Sequence, residues 1–521
     1  MRAAVIFTFL LATVLSCARL PGPMVLPSAG VREPAFADQF YPADPVKLRA
    51  AIDGFLHDAL PRPVTAPVAI VVPHAGYVFS GQIAADAYRV LKGACPDTVV
   101  ILGANHTGRG YREMAVFAGA GFRTPLGTAR IDTALASAIV QAGEGAVFDN
   151  AAHDGEHSVE VQVPFVQRSC PAATIVPIVV GEIGSEATTR FGRSLAHVLA
   201  GRRVVIVASS DLSHYPRQDT ARDMDRRTLA AIASLDPARF TATIRRTMAA
   251  PPPNALTCAC GEGAVRAAME AARGLGATRG AVISYANSAD TLAGQADRVV
   301  GYGAVVFEGG PVPTMNDAGL PGPPLAADPA GPLGVNDRRA LLRLARETIT
   351  RFLATDTLPL PRGGSPRLEQ ASGVFVTLKK HGELRGCIGQ LEPQGPLERQ
   401  TALMAYQAAF RDARFPPVRE DELPGIDIEV SVLTPMQAIP RPASIVLGRD
   451  GVVLRVGDRS AVFLPDVAAE QRWTVDQMLD NLALKAGLPT KAWRDSQARL
   501  FVFQADAFSE SSVSAPRGAS R

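Results

Sequence analysis

Val68-Ala69-Ile70-Val71-Val72-Pro73-His74-Ala75-Gly76-Tyr77-Val78-Phe79-Ser80-Gly81 is the stretch from which the fold of this chain is read. Its first five residues are apolar throughout rather than alternating, the pattern of a strand covered on both faces. Pro73 ends the run, and Gly76 and Gly81 stand where backbone turns tightly or approaches another segment. Apolar runs of the same kind recur at Thr98–Leu102, Thr174–Val180, Val204–Ala208, Ala281–Tyr285 and Val299–Phe307. Between them lie helical stretches at Ile83–Lys92, Asp132–Ala142, Ser194–Leu199, Asp223–Ser234 and Gly263–Arg273. Such alternation predicts an α/β domain with a largely parallel sheet.

In open α/β sheets, ligands bind beyond the carboxyl ends of the strands. His74 follows the first run by one Pro. His106 follows Thr98–Leu102 by Gly103-Ala104-Asn105, and His214 follows Val204–Ala208 by a short loop. Three histidines delivered to one edge converge on one point. Neutral imidazole is the commonest protein ligand for metals, and two His plus an anion with open positions suits iron. Asp211, three residues before His214, is placed to orient it as a general acid/base. Cys258 and Cys260 precede a helix, whose N-terminus stabilises a thiolate. Two His and one Cys make a site for iron, copper or zinc. Small apolar packing is the competing reading of the thiols, and it suits Cys258 better. His153-Asp154-Gly155-Glu156-His157 matches the H-x-x-E-H pattern of a zinc peptidase. That chemistry needs one continuous helix, and Gly155 and the nearby Pro164 argue against it. Glu156 and His157 are expected on the approach to a helix beginning near Ser158.

The chain has 521 residues, enough for two to four domains of about 150. Hydrophobic residues make up 47%, which excludes wholesale disorder. Lys plus Arg number 53 against 50 Asp plus Glu, so there is no basic field for nucleic acid. Six Cys in this length exclude a disulfide scaffold. Residues 309–334 hold seven Pro and six Gly and read as a linker. Beyond it, a helix capped by Asn336 or Asp337 carries Leu341, Leu344, Ala345, Thr348 and Phe352 on one face. Strand-like runs follow at Gly373–Lys379, Ile426–Leu433, Gly451–Val456 and Ser460–Leu464, then a helix Val475–Ala486 closed by Gly487. This predicts a smaller α+β domain over 335–507, with 508–521 a disordered tail. At the other end, Arg2 precedes an uncharged, mostly apolar run Ala3–Leu15, shorter than the roughly 20 residues that span a bilayer. Residues 1–17 read as an export signal. Val14-Leu15-Ser16-Cys17 resembles a lipobox, in which Cys17 is lipidated. The expected location is outside the cytoplasmic membrane, touching it only through such an anchor. The alternatives are an ordinary secretory signal, or a cytoplasmic chain with a mis-assigned start.

Residues 31–308 resemble the Memo-like family, called AmmeMemoRadiSam system protein B in bacteria and archaea. The resemblance rests on VREPAFA (31–37), PHAGYVFSG (73–81), GANHTGRG (103–110), TPLG (124–127), EHSVEVQVPF (156–165), SSDLSHY (209–215), CG (260–261) and VGYGAVVF (300–307). Ala104 stands where the family often has Pro. That family is similar in fold to the extradiol dioxygenases, non-haem iron enzymes that open catechol rings with O₂. The resemblance implies metal ligands at His74, His106 and Cys260, with Asp211 and His214 beside them. Iron is the expected metal, with copper or zinc the alternatives. Cys260 stands where the dioxygenases use a carboxylate. A softer, oxidisable ligand there argues against catechol cleavage itself.

Residues 335–507 resemble the AMMECR-type domain, AmmeMemoRadiSam system protein A. This rests on LRGCIG (384–389), AAFRDARFPP (408–417), IEVSVLTP (428–435), DGVVL (450–454), FLPDVA (463–468) and Trp473. Arg385 is suited to hold a carboxylate or phosphate, with Cys387 beside it and Gly386 and Gly389 admitting a ligand to the backbone. The competing reading packs Cys387 inside a hairpin and makes the glycines bulges. The system name implies a radical-SAM protein as partner, and a small molecule or peptide as ligand. Two functions follow. One is a metal-dependent redox or modification enzyme. The other is a non-catalytic protein that uses the cleft as a binding pocket.

Overall fold

The computed structural model describes residues 30–61, 66–108, 110–291, 296–309, 333–361, 364–393, 395–440 and 442–514. The expected export signal with Cys17, most of the expected linker and the end of the tail lie outside the described residues.

The first domain is built on an eight-stranded sheet: β1 Pro67–Val72, β2 Thr98–Ala104, β3 Met114–Val116, β4 Ala146–Phe148, β5 Thr174–Val180, β6 Val204–Ser209, β7 Arg279–Asn287 and β8 Gly301–Glu308. Their order is β7-β8-β1-β6-β2-β5-β3-β4. The four central strands β1, β6, β2 and β5 run parallel. One edge is completed by antiparallel β8 and β7, the other by β3, antiparallel to β5. The continuous apolar runs have the expected cause. In β2, Val100 and Leu102 enter the core layer on one face and Val99 and Ile101 the layer on the other. All six predicted runs are strands. β3 and β4, three residues each, carry too little pattern to be read beforehand.

Helices cover both faces. Several begin earlier than the sequence predicts: Tyr77–Tyr88, Ser185–Leu199 and Gln218–Ala233. A disulfide, Cys95–Cys170, ties the loop before β2 to the residue closing the helix Val163–Ser169.

The second domain holds two four-stranded sheets. Glu383–Gln390, Val374–Lys380, Ile426–Leu433 and Ala505–Ser509 form one, wholly antiparallel. It packs beneath the helices Val335–Thr355 and Leu397–Phe410. Gln437–Ile439, Arg499–Phe503, Gly451–Val456 and Arg459–Phe463 form the other. Two boundaries need correction. The first helix starts at Val335, and Asp337 acts from inside its first turn by accepting the Gly334 N–H at 3.1 Å. The domain also runs past 507. Phe508 is buried in its core, and Glu510, in the short helix Glu510–Ser514, pairs with Arg346. The predicted tail is therefore structured through Ser514. Among the described residues no helix is long and apolar enough to cross a membrane.

Candidate metal centre

His74 lies just beyond β1, His106 just beyond β2, and His157 opens the short helix His157–Glu160 that precedes β5. One ligand atom from each lies within 4.8 Å of the others. Gly103 makes this meeting possible. A Cβ there would stand 2.5 Å from both Ser158 Oγ and Val159 Cγ2, so only Gly lets that helix sit against the end of β2. Ser158 Oγ donates to Ala104 O at 2.7 Å and holds the contact.

Hydrogen bonds decide which ring nitrogens face the centre. Ser209 has one hydroxyl hydrogen, and it goes to Ser158 O at 2.7 Å. Ser209 Oγ must then accept from His74 Nδ1 at 3.0 Å, which leaves His74 Nε2 without a proton and its lone pair directed at the centre. Glu156 does the same for His106. Its buried carboxylate accepts the His106 N–H at 2.6 Å, His106 Nδ1–H at 3.0 Å and the Ser158 N–H at 2.8 Å. His157 Nδ1 is 3.4 Å from the same Oε1. Burial raises the Glu156 pKa, but the His106 hydrogen bond and charge and the two backbone N–H groups outweigh it and hold it at about 2. A carboxylate behind a metal-facing imidazole fixes both tautomer and orientation. Burial, helped by the neighbouring imidazoles, pushes His74 well below its ordinary value and His157 down to about 4. The His74 and His157 rings are thus neutral, the form that binds a cation.

Cys260 is beside this group but outside the mutually close set. Its Sγ lies 3.1 Å from His74 Nε2. Burial first, and Asp211 second, push its thiol up. Asp211 is held by the His74 N–H on Oδ1 at 2.8 Å, and its Oδ2 is 4.0 Å from His74 Nε2. Asp211 is therefore tied to His74 rather than hydrogen-bonded to His214, among the described residues. His214 Nε2 is buried without a hydrogen-bond partner. Burial pushes Asp211 up and His214 down. Cys258 is fully buried, as its packing reading requires, and burial pushes it up to about 12.

The H-x-x-E-H stretch divides. Its helix is broken at Gly155, and His153 Nε2 donates to Ala115 O at 2.9 Å among Phe117 and Phe122. The peptidase pair does not form. His157 and Glu156 instead belong to the centre, which the strand-end argument missed because neither follows a strand. Phe40 and Phe36 cover His157 at 4.6 and 5.5 Å, while the His106 side chain is 29% exposed, so the centre opens to solvent beside His106. A cavity of about 590 Å³, lined by Asn105, Gly181, Cys260 and Gly261, adjoins it.

Residues 32–306 match the family model of the Memo-like proteins, over half of the sequence. The chain belongs to the Memo-like family. In the second domain, residues 342–508 match the AMMECR1 family model. A MEMO1 family protein of Methanopyrus kandleri is 38% identical over 292 residues, 54% of this chain and 99% of that one. One from Aquifex aeolicus is 39% identical over 281 residues, 53% and 99% of the two chains. A solved structure of an uncharacterised protein from Pyrococcus horikoshii shares 38% identity over 34% of this chain and 92% of its own, with a TM-score of 0.32.

In the AMMECR1 domain, Arg385 and Cys387 have separate partners. Leu378 pairs with Gly386 and Lys379 with Leu384, so Arg385 is the extra residue of a β-bulge. Its guanidinium pairs with Glu422 at 3.0 Å, which Lys380 shares. Cys387 donates its N–H to Asp412 at 2.9 Å, and Arg414, paired with Asp412, returns to Cys387 O at 2.9 Å. A Cβ on Gly386 would meet Ala408 O, and one on Gly389 the Phe375 ring. Close packing thus accounts for both glycines.

Proposed function

We propose that the Memo-like domain is a mononuclear metal protein that holds iron through the Nε2 atoms of His74, His106 and His157, with Cys260 next to His74 as a further donor. The observation that carries this reading is the pair of buried acceptors, Ser209 Oγ and Glu156. They take the Nδ1 protons and leave the Nε2 lone pairs for one cation. Imidazole donors suit iron, copper and zinc. Iron, when bound, supplies a Lewis-acid and redox centre with open positions. Around it the chain's own groups divide the work. Glu156 and Ser209 orient ligands. His214 Nε2 is the buried atom free to take or give a proton, beside Asp211. The Phe36–Phe40 wall limits access of water on the His157 side. The family's likeness to non-haem iron dioxygenases supports an oxidative reaction on a small molecule.

The test is elemental analysis of the anaerobically purified full chain beside His74→Ala, His157→Ala and Cys260→Ala. The proposal expects near-stoichiometric metal, lost on either His change and reduced on the Cys change. Metal absent from the parent, or retained in both His variants, refutes it. One observation favours a second reading, a non-catalytic pocket: the neutral Cys260 thiol already sits against His74 Nε2. Oxygen uptake by the iron-loaded protein separates the two.

We also read the chain as exported. The Cys95–Cys170 disulfide supports this, since such bonds persist in oxidising compartments. Thiol alkylation of protein from fractionated cells tests it. Reduced Cys95 and Cys170 in a cytosolic fraction would overturn it.

A further inference from the structure

We infer that one face of the Memo-like domain is a docking surface for an AMMECR1-type domain, and that it holds that domain without the linker. The face comprises the helix Pro45–His57, Val78 and Asp290. The inference stands apart from the metal reading.

The helix shows the fit. Gly54 lies in its interior, where Gly costs about 1 kcal/mol against Ala. The bare Cα faces Arg351 of the second domain, and a Cβ there would stand 3.3 Å from Arg351 Nη2. The guanidinium lies across the helix, 5.3 Å from the Phe55 ring centroid, and pairs with Asp58 at 2.6 Å. Only 11% of the Arg351 side chain is exposed. A groove of about 560 Å³ runs along this contact.

Elsewhere the domains exchange apolar plugs. Val78, on the helix that follows His74, packs against the cluster of Leu358 and Ala402 in the second domain. Leu360 returns into the core layer of the first. A second ion pair, partly buried, joins Arg399 to Asp290 at 2.7 Å, and Gln218 and Arg222 hold Asp290 from its own side. The exposed pair Lys47–Asp356, 2.9 Å, adds little. Two largely covered arginines, each facing an aspartate of the other domain, select one partner and one register.

A covalent linker by itself raises effective concentration. The Memo-like domain also exists as a chain of its own. The Methanopyrus relative is matched over 99% of its length by 54% of this chain. A surface that docks its partner by contacts alone accepts that partner in trans.

The experiment inserts a protease site in the linker of the full chain, cleaves it, and follows the halves by size exclusion and native mass spectrometry at micromolar concentration. The halves of the parent are expected to co-elute. Gly54→Leu fills the Arg351 seat while favouring its own helix, and should weaken association about tenfold or more. Arg351→Asp should do the same, and Asp58→Arg added to it should restore association. Circular dichroism of the separated halves confirms folding. Parent halves that separate on cleavage overturn the inference. So do Gly54→Leu and Arg351→Asp halves that stay together as tightly as the parent's.

Discussion

Changing Glu156 to Gln tests how the centre is organised without touching a ligand. The carboxylate accepts from His106 Nδ1, the His106 N–H and the Ser158 N–H at 2.6 to 3.0 Å, and lies 3.4 Å from His157 Nδ1. Gln keeps the shape but loses the charge, and its amide turns a donor toward one of those donors. Partners of this kind are worth about 10- to 100-fold in metal affinity, about 1.4 to 2.8 kcal/mol. Glu156 serves two imidazoles, so the upper part of that range is expected. The assay is a zinc titration against a chelating dye, with the full chain and the variant side by side and circular dichroism confirming the fold. A folded Glu156→Gln protein with unchanged affinity would refute the reasoning that His106 and His157 bind through oriented Nε2 atoms.

Other outcomes follow from neighbouring contacts. Gly103→Ala places its Cβ against Ser158 and Val159, and should cost about 1 to 3 kcal/mol in urea melts and lower metal content with it. Burial raises buried Asp225 from 3.8 to about 7, against the pull of Ser213 and Tyr285. The folded state thus holds a proton that the unfolded state releases, and stability should fall by about 4 kcal/mol as pH rises from about 4 through 7. Asp225→Asn should flatten that slope in denaturant midpoints, and an unchanged slope would refute the assignment. Replacing Cys95 and Cys170 together opens a crosslink across 75 residues and should lower stability by about 4 kcal/mol. A melting temperature equal to the parent's under oxidising conditions would count against the bond.

Much of the first domain is legible residue by residue. β1, β2, β5 and β6 announce themselves because both faces are buried and nearly every position is apolar. His74 and His106 are found because the ends of parallel strands share one edge. His157 escapes that logic. It sits on a helix start, inside a stretch whose spacing points to a peptidase, and no local pattern ties it to residue 74 or 106. The available signal is Glu156 itself, a carboxylate placed as helix cap beside a histidine. Nothing in the spacing pairs Cys95 with Cys170, because their proximity is a product of the finished sheet. In LRGCIG, the extra residue of the bulge is Arg385 rather than a glycine, and Gly386 and Gly389 are explained by close packing on Ala408 and Phe375, which lie outside the motif.

The strand order has a consequence for how the protein is made. His74 and Cys260 touch across 186 residues, and His106 and His157 come from segments between them. No fragment of the nascent chain holds the set together before β1, β6, β2 and β5 have found their parallel neighbours, the slow kind of pairing. An ion bound in this centre would therefore be acquired late and would report a finished domain. It would also retard unfolding, since strand separation disperses its ligands.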